Sequence, residues 1–220
     1  DDIPAARLFD EVLKLYLSGN AAVTNELLGH YGVFDYLFPE TGKLLHSEVD
    51  HFPRTLITKA LENTDTRINI AKPVTPAFLI AALLWEPLRQ RWQHYQNKKL
   101  PPIPALQAAA TDVISEQVKR IAVPKRFTIV TRDIWTMQIR LTQRNGKRAF
   151  RLLEHPKFRA GYDFLLLRAE TGEAPTELAE WWTVFQFAST EDKQKMVNEL
   201  SPAAPRKRRR RRRKPTTKKD

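Results

Sequence analysis

Cysteine is absent from the 220-residue chain, which excludes a disulfide framework and any thiolate metal site and agrees with a reducing compartment. Glycine is scarce: the seven glycines include no Gly-x-Gly pair, so neither a dinucleotide-binding fingerprint nor a Walker loop is present. No apolar run approaches the roughly 18–20 residues of a membrane helix. The first residues lack the charged stretch and apolar core of a secretory signal, so a soluble, cytoplasmic protein is expected. Methionine occurs only at Met137 and Met196, so the chain does not open on a start codon and is expected to be a fragment or processed product. Against these absences, 42% of residues are hydrophobic, enough for a substantial core.

Positive charge is present in excess and is unevenly placed. Of the net +12, residues 206–220 carry 11 basic residues against one acidic. Residues 119–168 hold 13 Lys/Arg against only Asp133, Glu154 and Asp163. The segments on either side of that stretch, 1–118 and 169–205, are each net acidic. Two basic segments in an otherwise mildly acidic chain are the footprint of a polyanion partner, most often nucleic acid.

Hydrophobic periodicity reads as helix nearly throughout, with no internal repeat. After Pro4, residues Ala5–Leu17 place Leu8, Phe9, Val12 and Leu15 on one stripe, stopped by Ser18-Gly19. A short helix follows over Ala21–His30, and Leu37-Phe38-Pro39 breaks the pattern. Thr41–His51 is polar and predicts a loop. Helical character returns over Arg54–Asn63 and Pro76–Gln96, with Pro87 expected to kink or split the second. Lys98–Pro104, with three prolines and two lysines, predicts an exposed turn. Ala105–Ala122 predicts another helix. Pro124 then opens one in which Phe127, Val130, Ile134, Met137 and Leu141 share an arc of about 80°. On that helix Lys125, Arg132 and Arg140 point away from the arc, flanked by Arg126 and Arg144. Asn145-Gly146 ends it, and short helices over Lys147–Glu154 and Pro156–Ala169 add Lys147, Arg148, Arg151, Lys157, Arg159 and Arg168. A last pair spans Glu177–Phe187 and Glu191–Leu200. From Arg206 to Lys214 nine basic residues stand in a row, a tail expected to stay disordered until it meets a polyanion. The fold class is therefore all-α, an irregular multi-helix body with a disordered arginine-rich C-terminus.

Catalytic constellations are not recognisable. His46, Glu48, Asp50 and His51 supply ligand atoms, but their spacing fits no zinc or metalloprotease motif, and no metal is expected there. Asp10-Glu11 and Glu191-Asp192 are adjacent pairs whose side chains point to different helix faces. Trp85, Trp92, Trp135, Trp181 and Trp182 could stack on bases, yet each sits among apolar neighbours, which favours core packing. An ordinary solvated face normally mixes signs, whereas residues 119–168 do not, so phosphate contact is the favoured reading of the basic helices.

Several stretches resemble consecutive pieces of the bacterial poly(A) polymerase I family, within the superfamily that also holds tRNA nucleotidyltransferases. They are Ile3-Pro4-Ala5-Ala6-Arg7-Leu8-Phe9-Asp10-Glu11-Val12-Leu13-Lys14-Leu15, Asn63-Thr64-Asp65-Thr66-Arg67-Ile68, Pro76-Ala77-Phe78-Leu79 to Leu84-Trp85, and Ile121-Ala122-Val123-Pro124-Lys125-Arg126. The densest runs from Thr131-Arg132-Asp133-Ile134-Trp135 through Gly146-Lys147-Arg148-Ala149-Phe150-Arg151 to Leu167-Arg168-Ala169. The resemblance implies ATP- and Mg²⁺-dependent transfer of adenylate to RNA 3′ ends by a catalytic head with a Gly-Ser motif and paired carboxylates. Neither motif appears in this sequence, so no cofactor is expected in this chain, and alone it is expected to show no tailing activity. Residues 1–40 would then end a helical neck, 41–122 form a helical RNA-binding body, 123–200 a basic helical region and 201–220 the tail.

The asymmetric charge and the resemblance together imply that Lys125, Arg126, Arg132, Arg140, Arg144, Lys147, Arg148, Arg151, Lys157 and Arg159 hold RNA 3′ ends by their phosphates. Arg206, Lys207, Arg208, Arg209, Arg210, Arg211, Arg212, Arg213 and Lys214 would add non-specific capture. A DEAD-box helicase is the protein partner it implies. The residues alone also admit a stand-alone RNA-binding adaptor, a tRNA nucleotidyltransferase fragment, or a body whose basic face meets an acidic protein.

Overall fold

Pro4 and Pro124 each stand immediately before a helix, where a missing backbone N–H costs nothing, and several other helices open in the same way. A computed structural model describes residues 4–46 and 54–200. All regular elements among them are helical. Helices α1 (Ala5–Tyr16), α2 (Ala21–His30), α3 (Val33–Leu37), α4 (Pro39–His46) and α5 (Arg54–Asn69) form the first half. They are followed by α6 (Pro76–Leu83), α7 (Trp85–Asn97), α8 (Pro102–Arg120) and α9 (Lys125–Leu141). The chain continues with α10 (Lys147–Leu153), α11 (Phe158–Glu170), α12 (Thr176–Phe187) and α13 (Thr190–Glu199). The all-helical class predicted from periodicity is what the structure contains; the tail Arg206–Lys214 lies outside the described residues.

Several local expectations are corrected. Thr41–His46 is not loop but most of α4, which buries Thr41 and Gly42 instead of large apolar residues, so no hydrophobic period marks it. Thr41 donates its hydroxyl to the Leu83 carbonyl at 2.7 Å, and a Cβ on Gly42 would strike the Asp35 carboxylate. The break between α6 and α7 falls at Leu84, not at Pro87. Pro87 sits in the first turn of α7, where it interrupts no intrahelical bond. The prolines of 98–104 do not all lie in a turn, because α8 begins at Pro102. In α1 the buried stripe is Phe9, Val12 and Tyr16, while Leu15 is exposed.

Two clusters of buried side chains hold the helices together. The larger joins α1 to α8 through Tyr16, Phe38, Leu61, Leu83, Trp85 and Leu106, among others. The second joins α10, α12 and α13 through Leu152, Trp182, Phe185 and Val197. Helices α9 and α11 serve both: Ile134, Trp135 and Phe164 enter the first, Met137, Leu141, Phe158 and Leu165 the second. Polar bonds fix how closely the helices approach. The indole of Trp135 donates to the Ala81 carbonyl at 3.1 Å and that of Trp182 to the Leu141 carbonyl at 2.9 Å. Asp65 reaches across from α5 and accepts the backbone N–H groups of Ala21 and Ala22, at 2.5 and 3.0 Å, capping α2 from outside its own sequence.

Where α9 crosses α11, Gly161 faces Met137 so closely that a Cβ would lie 2.2 Å from Met137 Cγ. Gly161→Ala is therefore expected to lower stability by about 1–3 kcal/mol in urea unfolding, despite the better helix propensity of alanine. Combining it with Met137→Ala, which removes the nearest obstructing atom, Cγ, and leaves Cβ, should cost less than the sum of the two single changes.

Candidate nucleic-acid interface

Helix α9 turns Ile134, Trp135, Met137 and Leu141 to the interior, and polar Thr131 and Gln138 are buried beside them, each bonded to a backbone carbonyl. Phe127 and Val130, also expected inside, are half-buried against the first core. The other side carries the cations. Lys125 and Arg126 occupy the first turn, which holds no acidic residue, so they stand against the positive end of the helix dipole. The guanidinium of Arg126 lies 4.8 Å from the Phe127 ring.

Helices α8 and α9 pack side by side and antiparallel. Arg132 donates to the Thr111 hydroxyl at 2.9 Å, and eight residues along each helix Ile103 and Arg140 line one cavity. The seam between the two helices thus carries Arg132 midway and Arg140 at its end. Lys125 lies about 22 Å from Arg140 along the axis.

After α9, Gly146 adopts φ +60° and ψ −145°, a conformation open to glycine, and the chain reverses. That reversal swings α10 beside the end of α9. Arg140, Arg148 and Arg151 converge on an open cavity of about 360 Å³, together with Gln143, His155, Ile103 and Leu152. Among the described residues no carboxylate lies within ion-pair distance of these three arginines. Arg148 donates to the Gln143 amide oxygen at 3.4 Å.

The remaining expected contacts diverge. Arg144 turns to the Trp181 ring, 5.2 Å away, and partial burial pushes its pKa below the ordinary arginine value. Lys147 is exposed and Lys157 half-buried, neither paired with a carboxylate among the described residues. Arg159 is tied to Asp163 at 3.0 Å. The tail cations Arg206–Lys214 lie outside the described residues. Arg168, counted within the basic segment, is almost buried and bonded to Glu173 at 2.8 Å, so it belongs to the interior. His155, Gln143 and Ile103 join the cavity without having been singled out from sequence. His155 and Gln143 were within reach of the Asn-Gly turn signal, whereas Ile103 comes from a helix 37 residues earlier.

Of the tryptophans, Trp85, Trp135 and Trp182 are fully buried. Trp181 is half-buried, stacked on Phe185 at 4.5 Å. His46 bonds to the Asp35 carboxylate at 2.8 Å; Glu48, Asp50 and His51 lie outside the described residues. No group of three or more His, Asp or Glu side chains among the described residues could hold a metal ion. No described helix is long and apolar enough to cross a membrane.

An all-α body with a cation-lined seam and an arginine cavity is the class of protein these observations define. Residues 98–215 match the family model described as "Polymerase A arginine-rich C-terminus", more than half of the chain, and the chain belongs to that family. Residues 1–45 match a second model, "Probable RNA and SrmB- binding site of polymerase A". The chain is 45% identical over 204 residues to a protein named Poly(A) polymerase I from Escherichia coli O6:H1, covering 91% of this chain and 44% of that protein. Identity to the Salmonella typhi protein of the same name is 43% over 212 residues, 94% of this chain and 45% of that one. For Haemophilus influenzae it is 40% over 207 residues, 93% and 46%. The chain thus spans less than half the length of these relatives.

Proposed function

We propose that this chain is the RNA-binding C-terminal part of a poly(A) polymerase, holding single-stranded RNA 3′ ends for adenylation. The observation that carries the reading is the run of cations from α9 to α10, most of which face no carboxylate among the described residues. Lys125, Arg126, Arg132, Arg140, Lys147, Arg148, Arg151 and Lys157 contact RNA phosphates along this face. Arg144 and Arg159, already engaged, contribute at its edge. The tail adds capture by counterion release. ATP and Mg²⁺ belong to the catalytic part of the whole enzyme, which works in the cytoplasm. A DEAD-box helicase docks on the first helices, in keeping with the wording of the family description for residues 1–45.

The test is fluorescence anisotropy with a 20-nucleotide single-stranded RNA. At 0.1 M salt each lost phosphate contact removes about 0.7 of a log unit in affinity. Lys125→Glu/Arg126→Glu/Arg132→Glu is therefore expected to bind about 10²-fold more weakly with unchanged helicity. Wild-type affinity in that variant would overturn the RNA reading of the α9 face, and equal binding to an acidic polypeptide that excess RNA does not displace would overturn the RNA reading as a whole.

A further inference from the structure

Three arginines around one cavity repel one another unless something negative sits between them. In this molecule other arginines have their carboxylates: Arg91 has Glu40 at 3.1 Å and Arg159 has Asp163. The cavity between the ends of α8, α9 and α10 is built differently. Its polar lining is donor-rich. Each guanidinium presents only N–H groups, and the side-chain oxygen of Gln143 is within reach of Arg148. His155 adds to this. Its Nδ1 accepts the backbone N–H of Lys157 at 3.1 Å, which puts the proton of the neutral ring on Nε2. The apolar part of the wall comes from Ile103 and Leu152. A volume of about 360 Å³ matches one nucleotide unit better than a bare ion.

We infer that this cavity is a nucleotide pocket on the RNA path, in which Arg140, Arg148 and Arg151 grip one backbone phosphate and the adjoining sugar or base lies on Ile103 and Leu152. The inference rests on the RNA-binding reading and deepens it, because the pocket lies at the end of the seam that carries Arg132 and Lys125. The ligand chemistry is a phosphate ester, and its source is the RNA strand, not a free nucleotide. Guanidinium forks suit the two non-bridging oxygens of a phosphodiester. A grip on the phosphate carries no sequence information, so oligo(A) and oligo(U) are expected to be held alike.

The experiment uses the full chain and its variant Arg140→Gln/Arg148→Gln/Arg151→Gln, whose three positions are exposed and whose substitutions leave both cores intact. Affinity for 20-nucleotide oligo(A) and oligo(U) is measured against salt, and melting temperature against inorganic pyrophosphate and ATP. The expected result at 0.1 M salt is about 5-fold weaker binding of both oligomers, with a log–log salt slope shallower by about 0.7, the loss of one phosphate contact. Pyrophosphate should raise the melting temperature of the wild type and not of the variant. Arg→Lys at all three positions, which keeps the charge and loses the fork, should fall between. An unchanged affinity and slope in the Gln variant, while the Lys125/Arg126/Arg132 variant loses binding, would overturn the pocket alone. Unchanged binding in both would overturn the RNA reading of the helical body with it. ATP that stabilises the wild type at concentrations where oligo(A) does not would assign the pocket to a free nucleotide instead.

Discussion

Glu173→Ala is expected to lower the unfolding free energy by about 3–5 kcal/mol in urea titrations, since it leaves a nearly buried guanidinium without its counter-charge. Glu173 lies in the turn after α11, yet its carboxylate is almost wholly shielded from solvent. One oxygen accepts the Trp85 indole N–H at 2.7 Å and the other the Arg168 Nε–H at 2.8 Å. Arg89 approaches the first oxygen at 3.9 Å. Arg168 also donates to Gln138 at 3.2 Å, and Gln138 donates to the Gly161 carbonyl at 3.0 Å. The carboxylate therefore ties the start of α7 to α9 and α11, the two helices shared by both cores. Glu173→Gln, which keeps an acceptor for the indole and loses the charge, should cost less, about 1–3 kcal/mol. Arg168→Ala should resemble Glu173→Ala, and the double variant should fall short of the sum because both remove one interaction. At temperatures where the Arg168 variant remains folded, its RNA affinity should match wild type. That outcome would separate this arginine from those of the basic seam.

The contrast between Arg168 and Arg140 marks how far the chain could be read before its structure was in view. The split of α9 into an apolar and a basic side was legible because Ile134, Met137 and Leu141 recur at helical spacing with cations between them. The burial of Thr131, Gln138 and Gly161 was not. Their value lies in a hydroxyl, an amide and a missing side chain, each matched to a particular neighbour, and hydropathy does not register it. Helix α4, which buries Thr41 and Gly42, carries no hydrophobic period for the same reason. Within 119–168 the charge count could not separate an arginine bonded to a turn five residues later from one left open. That distinction depends on Gly172, at φ +76°, folding the turn back to place Glu173 against α11. Convergence of Arg140, Arg148 and Arg151 likewise depends on the direction of the reversal at Gly146. Asn145-Gly146 signals that a reversal occurs but not which faces it brings together. Long-range partners such as Ile103 and Trp85 lie beyond any local pattern.

Deleting residues 206–220 is expected to flatten the salt dependence of RNA binding more than any change in the helical body does. In the log–log plot each cation that reaches a phosphate of a single strand adds about 0.7 to the slope. The tail offers nine cations in a row, against three in the arginine cavity and three at the start and middle of α9. Engagement of only four tail residues would add about 3 to the slope and about 10³-fold in affinity at 0.1 M salt. The truncated chain should therefore bind more weakly at low salt and fall less steeply as salt rises, while the full chain starts tighter and falls more steeply. Residual binding by the truncated chain should then depend on Arg140, Arg148 and Arg151, because α9 and α10 hold these side chains on a fixed cavity. A tail of consecutive like charges can draw RNA in from any direction but cannot set where along the molecule a strand comes to rest. On the proposed reading, setting that position falls to the seam and its pocket. Anisotropy between 50 and 200 mM salt on the two chains decides the matter: equal slopes would remove the tail from RNA binding. Loss of all binding on truncation would remove the body.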